Sequence, residues 1–145
     1  LQGEQVISRD KTLELLKANG HLRDQNLNSV MLDKLDLSGV DFSGSNLMHA
    51  FLRESNLSGA NFSGANLRGA FLNDCLIENT NFENADLRFA KLLGAKIGSA
   101  NWSGAFYDIG TRVDTKNMHI FDQMTQRGKE IYVKDANQKV VEVTT

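Results

Sequence analysis

The same class of residue returns at every fifth position along more than half of this chain, and that period restricts the fold more than any other property of the sequence. Starting at Leu22, the large apolar residue recurs as Leu27, Leu32, Leu37, Phe42, Leu47, Leu52, Leu57, Phe62, Leu67, Leu72, Ile77, Phe82, Leu87, Leu92, Ile97 and Trp102, seventeen in succession without a slip. Two residues before each stands a second series, polar or larger at Gln25, Val30, Leu35 and Val40, then small from Ser45 through Ala60, Cys75 and Thr80 to Ala100. The other three positions of each five are mostly Asn, Asp, Ser, Gly or charged. A period of five matches neither a helix at 3.6 nor a plain strand at 2. It matches a chain that turns a corner every five residues. Within each five, extended alternation points the small and the large residue the same way, and the corner resets the choice. Gly39, Gly44, Gly59, Gly64, Gly69, Gly94 and Gly104 fall where such a corner needs positive φ. Four sides close a square coil of twenty residues, an all-β solenoid whose coils stack about 4.8 Å apart.

Two runs, "SNLSGANFSGANLRGAFL" and "NFENADLRFAKLLGAKIGSANW", carry an A-(D/N)-L-x-x pattern, and through them residues 20–105 resemble the pentapeptide-repeat family. The segment "GAFYDIGTRV" is similar to the ending that many members have after their last repeat. The resemblance implies a right-handed quadrilateral β-helix, often dimeric, of bacterial and in particular cyanobacterial type, with no catalytic residues common to the family. Members with the same coil do unrelated jobs, so it implies little about function. Some inhibit or protect type II topoisomerase by resembling a DNA duplex in shape and charge.

An open solenoid exposes its core and strand edges at both ends, which calls for caps. Residues 1–19 are expected to be an N-terminal cap. In it 8–19 read as a helix that Ser8 or Asp10 begins and Asn19-Gly20 ends, with Leu13, Leu15 and Leu16 as its apolar face. Residues 106–145 read as a C-terminal tail. There 116–127 are expected to be a short helix with Met118, Phe121 and Met124 inward, followed by a hairpin around 135–137. Apolar residues past the last coil (Phe106, Ile109, Ile120, Phe121) are candidates to join two rods end to end.

The three histidines, His21, His49 and His119, lie apart without metal-ligand spacing. There is no phosphate-cradling lysine loop, dinucleotide glycine fingerprint or nucleophile elbow, so the reading is of a non-enzyme without cofactor or metal. The lone Cys75 sits on the small inward position, as a buried space-filler. The series Asn46, Asn66, Asp86 and Asn61, Asn81, Asn101 are expected to form side-chain ladders along the coil axis. Residues 20–105 hold nine acidic and seven basic side chains, too balanced for imitation of DNA and too balanced for direct nucleic-acid binding. No apolar run reaches the roughly 18 residues of a membrane-spanning helix. The chain begins at Leu1 rather than Met, the expected mark of processing or trimming. A cytoplasmic location and export to a periplasm or thylakoid lumen both stay open.

One corner breaks the polar pattern. Twenty-residue stacking places Met31, Phe51, Phe71 and Lys91 in one outward column, with Ser29, His49, Gly69 and Phe89 around the corner and Met48, Arg68 and Arg88 beside them. Exposed aromatic and Met side chains rimmed by Arg have the composition of a binding hot spot. Met31, Met48, Phe51, Phe71, Phe89, Arg68 and Arg88 are therefore the candidate surface for an unidentified protein partner. The alternative is that they only extend wall packing or lie under the C-terminal tail.

Overall fold

The computed structural model describes residues 6–127, 131–134 and 140–143. Parallel β-bridges join residues twenty apart in four columns, which are the four walls of a square coil: Asn26–Asn46–Asn66–Asp86–Phe106, Met31–Phe51–Phe71–Lys91, Asp36–Asn56–Leu76–Lys96, and Asp41–Asn61–Asn81–Asn101. The step lengthens once, at Lys91–Arg112, so the segment between Phe106 and Arg112 carries one extra residue.

The repeat is explained by where its five amide hydrogens go. Around Leu47, the N–H of Asn46 donates to Gln25 one coil back, and the N–H groups of Leu47 and His49 donate to Asn66 and Arg68 one coil on. Ala50 N–H closes the corner on the Leu47 carbonyl at 3.0 Å. The remaining donor, Met48 N–H, is taken at 3.0 Å by the side-chain oxygen of Asn46. Every backbone donor is thus satisfied, and Asn or Asp before the central residue supplies the one acceptor the backbone lacks. Asn61, Asn66, Asn81, Asp86 and Asn101 do the same for the amide two residues on. The expected ladder is present in part: amide-to-amide bonds along the axis link Asn46 to Asn26 (3.4 Å) and Asn101 to Asn81 (3.3 Å), while the side-chain oxygens of the series also take the amide two residues on.

Inside, the central residues are fully enclosed, and Phe42, Phe62, Phe82 and Trp102 form one stacked column with ring centroids 4.7, 5.4 and 4.6 Å apart. Each such side chain contributes roughly 1.5–3 kcal/mol relative to exposure. The small position admits a hydroxyl because a carbonyl lies within reach. Ser55 donates to Leu32 at 2.8 Å and Thr80 to Leu57 at 2.7 Å, and Cys75 Sγ lies 2.7 Å from the Leu52 carbonyl. Ser55 also accepts Leu35 N–H at 3.0 Å, standing in for the ordinary corner bond.

Helix α1, Arg9–Asn19, begins at Ser8, whose side chain accepts Lys11 N–H, and ends at Gly20 in the left-handed conformation. Ile7, Leu15 and Leu16 pack on the core and Thr12 is the buried residue of the helix, while Leu13 is half-buried. At the other end, β1 (Phe106–Tyr107) pairs in parallel with β2 (Thr125–Gln126), so the first wall gains a rung beyond the last five-residue unit. Between them Thr115–Gln123 is a 3₁₀ helix. With three residues per turn, Asn117 and Ile120 share a face, and Ile120 is 2% exposed against the core. Phe121 and Met124 pack beside it, but Met118 is 54% exposed, against the expectation that it points inward. Of the residues considered for joining two rods, Ile120 is thus consumed within the chain. Phe121 stacks on Tyr107 at 4.3 Å, the Arg127 guanidinium lies 4.3 Å over Phe106, and Ile109 is 79% exposed. Strands β3 (Ile131–Lys134) and β4 (Val140–Val143) pair antiparallel, and the turn expected at 135–137 lies outside the described residues.

Candidate partner surface

Position by position, the second wall exchanges amides for apolar groups. Phe51 and Phe71 occupy the place of the corner-closing Asn, and their half-buried rings stack on the outside of the coil, centroids 4.8 Å apart and planes 6° from parallel. Arg53 covers the Phe51 face, its guanidinium 5.4 Å from the centroid. Because Phe51 offers no acceptor, Arg53 N–H turns to Asp33 of the previous coil at 2.7 Å. Met31 heads the column and is 57% exposed, beside Val6, Ile7 and Arg9 at the start of α1.

The corner before this wall carries two more columns. His49 (φ +60°) and Phe89 (φ +62°) hold left-handed backbone that ordinarily costs a non-glycine residue about 1–2 kcal/mol. Each ring fills the space beside the glycine of the next coil where a β-carbon would stand, His49 at Gly69 and Phe89 at Gly110. Between them is a cleft of about 400 Å³ lined by Met48, His49, Arg68, Gly69 and Phe89, with Phe89 48% exposed. Asp108, nearly buried in the segment with the extra residue, fixes the Phe89 end by accepting Phe89 N–H (3.0 Å) and Gly110 N–H (2.9 Å).

Met48, Arg68 and Phe89 of the expected set therefore share one cleft, with the Phe51–Phe71 stack on the adjoining wall and Met31 at its end. Arg88 is differently engaged. Its guanidinium forks onto Asp86 at 2.7 and 2.9 Å. His49 and Gly69 complete the cleft although neither is apolar or cationic in the way a hot-spot search rewards; their shared column with Phe89 was the available signal.

Other groups offer less. On the next corner Arg53 pairs with Asp33 (2.8 Å), Lys34 with Glu54 (3.8 Å), and Arg9 donates to the Asp33 carbonyl (2.8 Å), lining a charged hollow with Asn73 and Asp74. Opposite charges alternate there and exposed pairs of this kind contribute little. Cys75 is enclosed, and desolvation pushes its thiol up to about 12, so it stays protonated and unreactive. Among the described residues no group of His, Cys, Asp and Glu could hold a metal ion, and no helix is long and apolar enough to cross a membrane.

Comparison with known proteins agrees with the coil. The family described as "Pentapeptide repeats" matches residues 36–74 and 72–104, with eight copies. The chain is similar to the solved structure of alr5209, a pentapeptide repeat protein from Nostoc Pcc 7120, at 24% identity over 86% of this chain and 100% of that one, TM-score 0.57. It is also similar to a pentapeptide repeat protein from the Arabidopsis thaliana thylakoid lumen (22% identity, 82% and 86% covered, TM-score 0.45). A third likeness is to HetL, involved in heterocyst differentiation regulation in Nostoc sp. strain PCC 7120 (29% identity, 74% and 57% covered, TM-score 0.35). No functionally curated protein matches.

Proposed function

The chain belongs to the pentapeptide-repeat family, with its right-handed quadrilateral β-helix, and from that premise we propose that it is a non-enzymatic protein-binding module whose partner surface is the Met31–Phe51–Phe71 wall with the Met48, Arg68, Arg88 and Phe89 corner. In this reading the described residues 6–19 and 106–127 serve as the end caps of the coil at 20–105.

The observation that carries this reading is the Phe51–Phe71 stack. The core is already filled by the central residues, so two aromatic rings on the outer side of a wall do nothing that the interior requires. They also displace the Asn whose side chain would accept the amide two residues on. Apolar groups that complicate the backbone accounting and are not needed for packing are best explained by what they meet outside. A rigid coil suits that task, because its columns hold side chains at fixed spacing and little order has to be gained on binding.

The charge pattern supports binding over imitation of a DNA duplex. Asp33, Asp41, Glu54 and Asp86 each stand within ion-pair distance of an Arg or Lys, so nearly half of the nine acidic side chains of 20–105 are locally offset. The experiment is partner capture from the native source with the wild-type chain and with Phe51→Ser/Phe71→Ser. Capture by the first and loss by an equally stable second supports the reading. Equal capture by both sinks it.

A further inference from the structure

Arg68 and Arg88 occupy the same column in successive coils, twenty residues apart, yet among the described residues only Arg88 has a carboxylate partner. Arg88 follows Asp86, and the carboxylate takes its guanidinium in a two-pronged ion pair. Arg68 follows Asn66, whose amide oxygen is spent on Arg68 N–H at 3.1 Å and whose side chain bears no charge. Among the described residues no carboxylate reaches the Arg68 guanidinium. Its neighbours are all answered locally. Lys91 donates to the Phe89 carbonyl, Arg112 to the Ile109 carbonyl, and Arg53 to Asp33.

The half-buried Arg68 also lies in the cleft between His49 and Phe89, with Met48 and the bare backbone of Gly69 as its other walls. An unbalanced guanidinium there asks for an anion, and the apolar walls ask for something flat or aliphatic attached to it. Resting on the reading of this corner as the partner surface, we propose that the cleft receives an acidic segment of a partner protein: an Asp or Glu on Arg68, next to an aromatic or aliphatic residue against Phe89 and Met48. Charge complementarity selects this occupant. Arg88 and Asp86 cancel one another beside the cleft, Asp108 is nearly buried and bonded to Phe89 and Gly110 amides, and Arg68 is the charged residue that lines the cleft itself.

The test is selection of random dodecapeptides on phage against the immobilised full chain, followed by anisotropy titration of the recovered, fluorescein-labelled peptides. The expected peptides carry Asp or Glu beside an aromatic or aliphatic residue. They bind Arg68→Gln about tenfold or more weakly, and they also weaken on Phe51→Ser/Phe71→Ser, with melting of Arg68→Gln unchanged. Selection on Arg68→Glu should lose the acidic bias. Peptides that lack the acidic bias, or ignore Arg68→Gln while still responding to the Phe variants, overturn the role of Arg68 and leave the partner surface standing. Peptides indifferent to both variants, or no enrichment at all, overturn both.

Discussion

The ring of His49 lies across Gly69, with its Cδ2 2.5 Å from the place a β-carbon on residue 69 would occupy. Glycine is thus favoured at this corner by its φ of +67°, which Ser29, His49 and Phe89 adopt in the same column at a cost, and is required there by the ring of the preceding coil. Gly39 has the same backbone (φ +71°) with nothing within 4 Å of such a β-carbon. Gly39→Ala should therefore cost only the left-handed penalty of about 1–2 kcal/mol, and Gly69→Ala measurably more. Urea melts check the difference, and His49→Ala should recover the excess at Gly69 if the ring is its cause.

Ile120 plugs the C-terminal end of the core, and Met118, two residues earlier, does not. Ile120→Ser should destabilise by about 2–5 kcal/mol, the range for emptying a buried aliphatic site, whereas Met118→Ser should stay within about 0.5 kcal/mol. Equal effects in chemical denaturation would mean that the 3₁₀ helix is rotated from the phase described.

Ser55 stands between Leu35 N–H and the Leu32 carbonyl, while at a neighbouring corner Ala60 leaves Val40 N–H to meet the Leu37 carbonyl directly at 3.2 Å. Since the direct corner is available, Ser55→Ala should cost less than about 1 kcal/mol, below the usual penalty for orphaning a buried donor. A loss of 2 kcal/mol or more in a urea melt would show that the corner cannot relax.

Desolvation of Cys75 gives a pH dependence of definite sign. The folded thiol is pushed up to about 12, above the value of about 8.5 for an unfolded cysteine. Its contribution is complete below the unfolded value and is lost as pH rises through the folded one, because only the unfolded chain ionises in that window. Wild type should lose stability relative to Cys75→Ala between about pH 8.5 and 12, and a thiol reagent should label the folded chain only through unfolding.

The five-residue period made the coil, its columns and the exposed corner legible, because inward and outward positions follow from spacing alone. What escaped depended on single atoms. The difference between Arg68 and Arg88 turns on an amide against a carboxylate two residues earlier, which a list of cations does not record. The phase of the 3₁₀ helix was missed because Met118 and Ile120 are equally apolar, and only the turn geometry decides which one reaches the core. The ladder of Asn46 and its equivalents is legible in the twenty-residue spacing and forms in part, whereas their acceptance of the amide two residues on is not, since both uses place the same residue at the same spacing.

The measurement that tests the central claim most directly is the melting of Phe51→Ser/Phe71→Ser, read alongside capture of a partner by the same protein. The rings stack outside a filled core, so their removal should cost no more than about 2 kcal/mol, a shift of a few degrees for a chain of this size, while capture is abolished. A collapse of melting comparable to that of Phe62→Ser in the core, about 3–5 kcal/mol, or capture that survives the change, would contradict the account and return the two rings to the structure of the wall.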